Sequence, residues 1–189
     1  VAADVARAYG GQRGFVYQHA LKGFSIKASP QAAAAIASSP LVAYVEKDML
    51  HTIDVQNMPT GIPWIFADKN PNLDIDALDD LRVDVDVAVI DTGIDWQHPD
   101  LNVVGGINCA AGNFLRVVCT GDGDDDHYHG THVAGTIGAL DNGIGVVGVA
   151  PGARLWAVKV LSSRGSGYTS WIVAGIDWVA KNAGQIEVA

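Results

Sequence analysis

Basic residues are scarce. Twelve Lys and Arg stand against 21 Asp and Glu, a formal charge of -9 and a pI near 4.8. No basic stripe is available to displace counterions from phosphates, which argues against a nucleic-acid partner. Long apolar runs are missing too: no stretch approaches the roughly 18 to 20 residues of a membrane span, and no charged-then-apolar signal segment opens the chain. Only two cysteines occur, Cys109 and Cys119. Two thiols without a C-x-x-C cannot make a tetrahedral zinc site, which leaves either one disulfide closing a surface loop or two free thiols. There is no initiator methionine at Val1. We read that start, with the abrupt end at "QIEVA", as the mark of a partial record of a longer protein.

What is present is an ordinary globular composition, 49% hydrophobic and 17% charged over 189 residues, enough for one substantial core and a small second one. Residues 1 to 55 read as a small α+β unit: a helix ending at the glycines of "VAADVARAYGG", a strand pair in "FVYQHALKGFSIKA", a helix in "SPQAAAAIASSP" and a strand in "LVAYVEKD". Ser29 caps the second helix, with Pro30 at its first position. Residues 56 to 84 read as a linker, "QNMPTGIPW", followed by an acidic run, "DIDALDDLRVDVD", taken as a solvated face. From 85 onward strands ("VDVAVI", "ARLWAVKVL", the start "IEVA") alternate with helices ("HGTHVAGTIGAL" and "TSWIVAGIDWVAKNAG", the latter with its face at 171, 172, 175, 176 and 179). Such alternation implies an α/β fold, a parallel sheet with helices on both faces.

In such a sheet ligands bind at the carboxyl ends of the strands. Asp91 follows directly on "VAVI"; alone it reads as a turn residue or cap. His129 opens a helix rich in small residues (Gly130, Thr131, Gly135, Gly138), which implies close packing, and it points toward the crevice, while His132 falls on the packed side with Val133 and Thr136. The H-x-x-H spacing is one short of H-E-x-x-H and lacks its glutamate, which argues against a zinc protease. "GDGDDD" lacks the twelve-residue spacing and final glutamate of an EF-hand and reads as an acidic surface loop.

"VAVIDTGIDWQHPDL", "HGTHVAGTIGALDNGIGVVGVAPGARLWAVKVL" and "GSGYTSWIVAGIDWVAKNAG" together resemble the subtilisin-type serine proteases, the subtilases, over residues 59 to 189. Residues 10 to 50 are similar to the C-terminal part of the inhibitory propeptide of such enzymes, a ferredoxin-like α+β unit. The resemblance implies domains of 1–55 and 56–189, with cleavage between Asp48 and Thr60. It implies Asp91 as the triad aspartate and His129 as the triad histidine. Gly165, Ser166 and Gly167 become the edge on which an extended substrate pairs, with Leu161, Thr169 and Ile172 lining its side-chain pockets. For Leu161 and Ile172 a plain core role is the alternative. The resemblance further implies a structural calcium ion held by Asp100, Leu140, Asn142, Ile144 and Val146; where the family has a glutamine near the mature N-terminus this sequence aligns Thr60, with Gln56 four residues earlier.

The nucleophile segment and the oxyanion asparagine of the family lie past residue 189, and Ser162, Ser163, Ser166 and Ser170 have no nucleophile setting. The expectation is therefore a secreted, monomeric serine endopeptidase precursor acting on protein or peptide and bound by its own propeptide, the 189 residues being inactive alone. The rival is a non-catalytic relative that binds or inhibits a protease.

Overall fold

A computed structural model describes residues 2–52, 65, 69–112 and 116–189. The N-terminal unit runs α1 (Ala2–Ala8), β1 (Gln12–Tyr17), β2 (Gly23–Lys27) and α2 (Pro30–Ala37). Gly10, at φ +69°, turns the chain out of α1. β1 and β2 pair antiparallel from Gln12↔Lys27 to Tyr17↔Gly23. The Ser29 hydroxyl accepts the Ala32 N–H at 3.1 Å and Pro30 sits in the first turn, the start read from the sequence.

"LVAYVEKD" is not a strand. Residues 41–48 run irregularly, with Leu41 and Tyr44 about two-thirds exposed. An apolar run becomes a strand only where an edge can pair with it, and among the described residues none lies beside 41–48. Pairing begins two residues later in β3 (Leu50–Thr52), and its partner lies in the second unit.

That unit is built on a parallel sheet of β4 (Asp86–Asp91), β5 (Val103–Asn108) and β6 (Arg154–Lys159), in the order β4-β6-β5. Asp91 lies opposite Lys159 in the register, and Val188 forms a further parallel bridge to Val87, the expected start of another strand. Alternation along the strands divides the core. Val87, Val89, Leu155 and Ala157 pack on one face with Ala134 of α3 (His129–Gly138). Ala88, Val158 and Val160 pack on the other with Trp171 and Ala174 of α4 (Thr169–Lys181). Helices thus cover both faces, as a parallel sheet requires.

The α4 face differs from the sequence reading. Ile176 is 41% exposed, whereas Ala174, Gly175 and Asp177 are buried. Gly175 is there because a Cβ would come within 2.4 Å of the Val160 side chain. The acidic run is exposed through most of its length, but Asp86 is buried: Arg154 Nε, the Trp156 indole N–H and the Glu187-bonded backbone enclose it. The hydrogen bond from Arg154 holds its carboxyl below the usual range. No helix among the described residues is long and apolar enough to cross a membrane.

Candidate active site

β4 ends on Asp91 and α3 begins on His129, so one strand end and one helix start set the two side chains against each other. His129 Nδ1 lies 2.8 Å from Asp91 Oδ1 and 2.9 Å from Oδ2. Both side chains retain some exposure, 17% and 13%, so the pair sits in an accessible crevice rather than in the core.

The approach depends on two glycines. A Cβ on Gly130 would lie 2.1 Å from the Gly93 carbonyl oxygen, and one on Gly93, at φ +107°, 2.3 Å from that of Gly123. Only glycine lets the helix start and the turn after β4 touch backbone to backbone. Gly130 N–H then donates to Thr92 Oγ1 at 2.9 Å, and Thr92 N–H to Asp91 Oδ1 at 2.6 Å.

Two residues of the "acidic surface loop" belong to this construction. The residue before α3, Tyr128, has φ +107° and caps nothing with its side chain. Asp125 does so instead, accepting the N–H groups of His127 (2.9 Å), Tyr128 (3.2 Å) and Thr131 (3.1 Å) and the Thr131 hydroxyl (2.5 Å). Burial alone would raise its carboxyl, but the hydrogen bonds, foremost from Thr131, outweigh that and hold it below the ordinary value. Asp126 pairs with the buried Lys159, whose Nζ also donates to the Thr92 carbonyl, both at 2.5 Å. Asp125 stands four residues before His129, off the position directly ahead of a helix where a cap is read from sequence; the role of Lys159 was hidden in an apolar strand.

His132 is exposed, as is Thr136, contrary to the packed side read from the sequence. The buried stripe of α3 is Gly130, Ala134 and Gly138, and His132 falls off it.

Beyond β6 the chain turns at Ser162–Gly165 into β7 (Ser166–Tyr168), with Gly165 at φ +64°. β7 does pair with an extended segment, and that segment is β3: Leu50↔Tyr168, His51↔Gly167 and Thr52↔Ser166, antiparallel. Thr169 N–H donates to the Met49 carbonyl at 2.9 Å and the Thr169 hydroxyl meets Met49 N–H at 3.0 Å. Asp48 Oδ1 accepts Ser170 N–H at 2.8 Å, capping the start of α4. Farther along α4, Asp177 Oδ1 accepts the N–H groups of Gln18, His19 and Ala20 at 3.1, 2.5 and 2.9 Å. Leu161 and Ile172 are half-buried and pack against the core around Val160 and Trp171.

The proposed calcium residues converge on one loop. Asp100 is buried; its Oδ2 accepts Val146 N–H at 3.1 Å and its Oδ1 has no hydrogen-bond partner. Asn142 Oδ1 accepts Ile144 N–H at 3.0 Å, and Leu140 to Val147 line, with Ile75 to Ala77, a cavity of about 420 Å³. Among the described residues no three His, Cys, Asp or Glu side chains cluster as a metal site. Thr60, Gln56 and the end of the cleavage interval lie outside the described residues. Cys109 and Cys119 are joined in a disulfide, which settles the choice left open by the sequence.

Two family models match separate stretches of the chain. Residues 83–188 match the model of the subtilase family, and residues 12–54 that of the peptidase inhibitor I9 family. The chain is 50% identical over 143 residues to subtilisin E of Bacillus subtilis (strain 168), covering 76% of this chain and 35% of that protein. It is 43% identical over 158 residues to an alkaline protease of Alkalihalobacillus alcalophilus, covering 84% of this chain and 38% of that protein. To subtilisin DY of Bacillus licheniformis it is 47% identical over 127 residues, 67% and 42% of the two chains. The chain thus spans well under half the length of these curated relatives. With the Asp91–His129 pair at the strand end and an inhibitor-type segment ahead of it, the chain belongs to the subtilase family.

Proposed function

We propose that the protein of which this chain is part is a serine endopeptidase made as a precursor. Asp91 orients His129 through Nδ1, fixing the tautomer and stabilising the imidazolium; Nε2 takes the proton of a serine hydroxyl supplied from outside these 189 residues and later returns it to the leaving amine. One observation carries this reading: His129 Nδ1 lies within 2.9 Å of both carboxylate oxygens of Asp91. A chain without the nucleophile has the base and its orienter but nothing to attack a carbonyl, so the 189 residues alone are inactive.

The substrate is protein or peptide laid extended along β7, with Gly165, Ser166, Gly167 and Thr169 supplying backbone and hydroxyl partners and Leu161 and Ile172 an apolar wall; this favours apolar side chains. β3 lying on that edge supports residues 1–55 as a propeptide that blocks the groove as a substrate would bind. The protein acts as a secreted monomer.

A structural calcium ion fits the loop at Asp100. The unsatisfied Oδ1 of a buried aspartate, the Asn142 amide oxygen and the carbonyls of Leu140, Ile144 and Val146 form a set of hard oxygen donors of the kind calcium prefers. The ion would neutralise the Asp100 carboxylate and hold the loop.

The test is the complete gene with His129→Ala. Peptide hydrolysis falls by about 10⁶-fold, the scale established for loss of the histidine in subtilisin, a member of this family, while circular dichroism keeps the native spectrum. Unchanged turnover rejects the assignment.

A further inference from the structure

The two cysteines take no part in the site described above, yet their position is not neutral. Cys109 directly follows β5, fully buried, and its N–H donates to the Lys159 carbonyl at 2.8 Å. It belongs to the same core cluster as Tyr17 of the N-terminal unit, with Val117, Val160, Trp171 and Ala174; Cys119, Phe15 and Leu21 pack against that cluster from its margin. Cys119 and Phe15 also line one crevice of about 230 Å³, together with Val16, Gln18, His19 and, from α4, Trp178. The crosslink therefore stands beside the place where Asp177 grips the β1–β2 turn.

We propose that the Cys109–Cys119 crosslink is a docking wall for the N-terminal unit, separate from the β3–β7 pairing and specific for the apolar side of β1. Three physical points support it. Both cysteine side chains sit where the Phe15 and Tyr17 side chains are withdrawn from water, so they supply apolar surface to the dock. The chain on the Cys119 side is tied back to β5 by Asn108 and Thr120, each donating its N–H to the other's carbonyl at 3.1 and 2.9 Å, and the disulfide adds a covalent tie between the adjoining residues, Cys109 and Cys119. The Asp177 bonds go to backbone N–H groups, which read no side chain; the packing of Phe15, Tyr17 and Leu21 on the cluster that holds Cys109, Val117, Trp171 and Ala174, with Cys119 at its margin, supplies side-chain complementarity that those bonds lack. With the crosslink absent, Cys119 keeps only the Asn108–Thr120 pairing beside it and the Phe15 side of the dock loosens, while β3 keeps its own ladder on β7.

Hydrogen exchange on the complete chain, read by mass spectrometry, tests this. In the Cys109→Ser/Cys119→Ser double variant, exchange in residues 12–20 accelerates by about 10-fold while the amides of β3 and of β4–β6 stay within about twofold of the parent. Unaltered protection in 12–20 overturns the proposal. Removing the disulfide can also unfold the sheet, which β4–β6 would report, so a second variant approaches from the other side. Phe15→Ser leaves the cysteines intact; the proposal requires thiol release by dithiothreitol, followed by alkylation, to run several-fold faster than in the parent. An unchanged reduction rate in Phe15→Ser overturns the proposal whatever the double variant does. Neither measurement involves peptide hydrolysis, so both can fail while the catalytic reading stands, and the reverse.

Discussion

Asp177 Oδ1 accepts the backbone N–H of His19 across 158 residues of sequence, at 2.5 Å, with the N–H groups of Gln18 and Ala20 on the same oxygen. Burial pushes this carboxyl up, but the three N–H donors, His19 first, more than offset it, and the carboxyl ends below its ordinary value. A group depressed in the docked state favours docking above its undocked pKa, near 4, and that contribution is lost as pH falls through the docked value. Acid below about pH 4 should therefore loosen residues 18–20. Asp177→Asn should abolish this pH dependence and weaken the dock at neutral pH; exchange rates of the 18–20 amides against pH measure both.

Asp91→Asn should keep the fold but present the wrong hydrogen-bonding partner to Nδ1, so that the imidazole sits in the unproductive tautomer. In the complete protein kcat should fall by about 10⁴-fold, the size known for this change in trypsin-type triads, with KM nearly unchanged. Steady-state kinetics on a peptide substrate decide it; a large KM effect with intact kcat would contradict the role.

Asp125→Ala removes four hydrogen bonds at the start of α3. A cap of this kind contributes about 1 to 2 kcal/mol, so denaturant midpoints should drop accordingly. Because its carboxyl is depressed on folding, the parent should lose this contribution as pH falls through the folded value, and the variant should not.

Chelation should lower the melting temperature, and Asp100→Ala should remove the response to added calcium. If calcium binds the loop as proposed, the shift grows with free calcium as RT ln(1 + [L]/Kd). A melting temperature indifferent to both chelator and calcium refutes the metal reading.

Gly130→Ala places a methyl carbon 2.1 Å from the Gly93 carbonyl oxygen, well inside contact distance. Helix and strand end must separate, which should cost more than about 2 kcal/mol and lengthen the Asp91–His129 contact. Thermal unfolding and turnover report the two effects.

How much of this was legible depended on whether the signal was local. The Ser29–Pro30 helix start and the "VAVI" strand rest on neighbouring residues, and the structure places them as read; Asp91 and His129 were picked from long motifs and lie within hydrogen-bond distance. β3 was misplaced because a strand is defined by its partner: "LVAYVEKD" has the apolar run, but β7 offers its edge three residues past Lys47, at Leu50–Thr52. His132 was misassigned because an apolar stripe built from Gly130, Ala134 and Gly138 leaves so little hydrophobic signal that its phase cannot be read. Asp177 and Lys159 were missed because a charge inside an apolar pattern reads as an interruption until its distant partners are seen.

β7 offers three residues of backbone, and β3 takes them in register. A row of amides that short seats one guest at a time, so a tethered occupant and a free one compete at very unequal local concentrations. If β3 blocks the substrate edge as proposed, inhibition by the tethered strand is stoichiometric and indifferent to dilution, and only severing the tether turns it into an ordinary equilibrium that dilution can reverse.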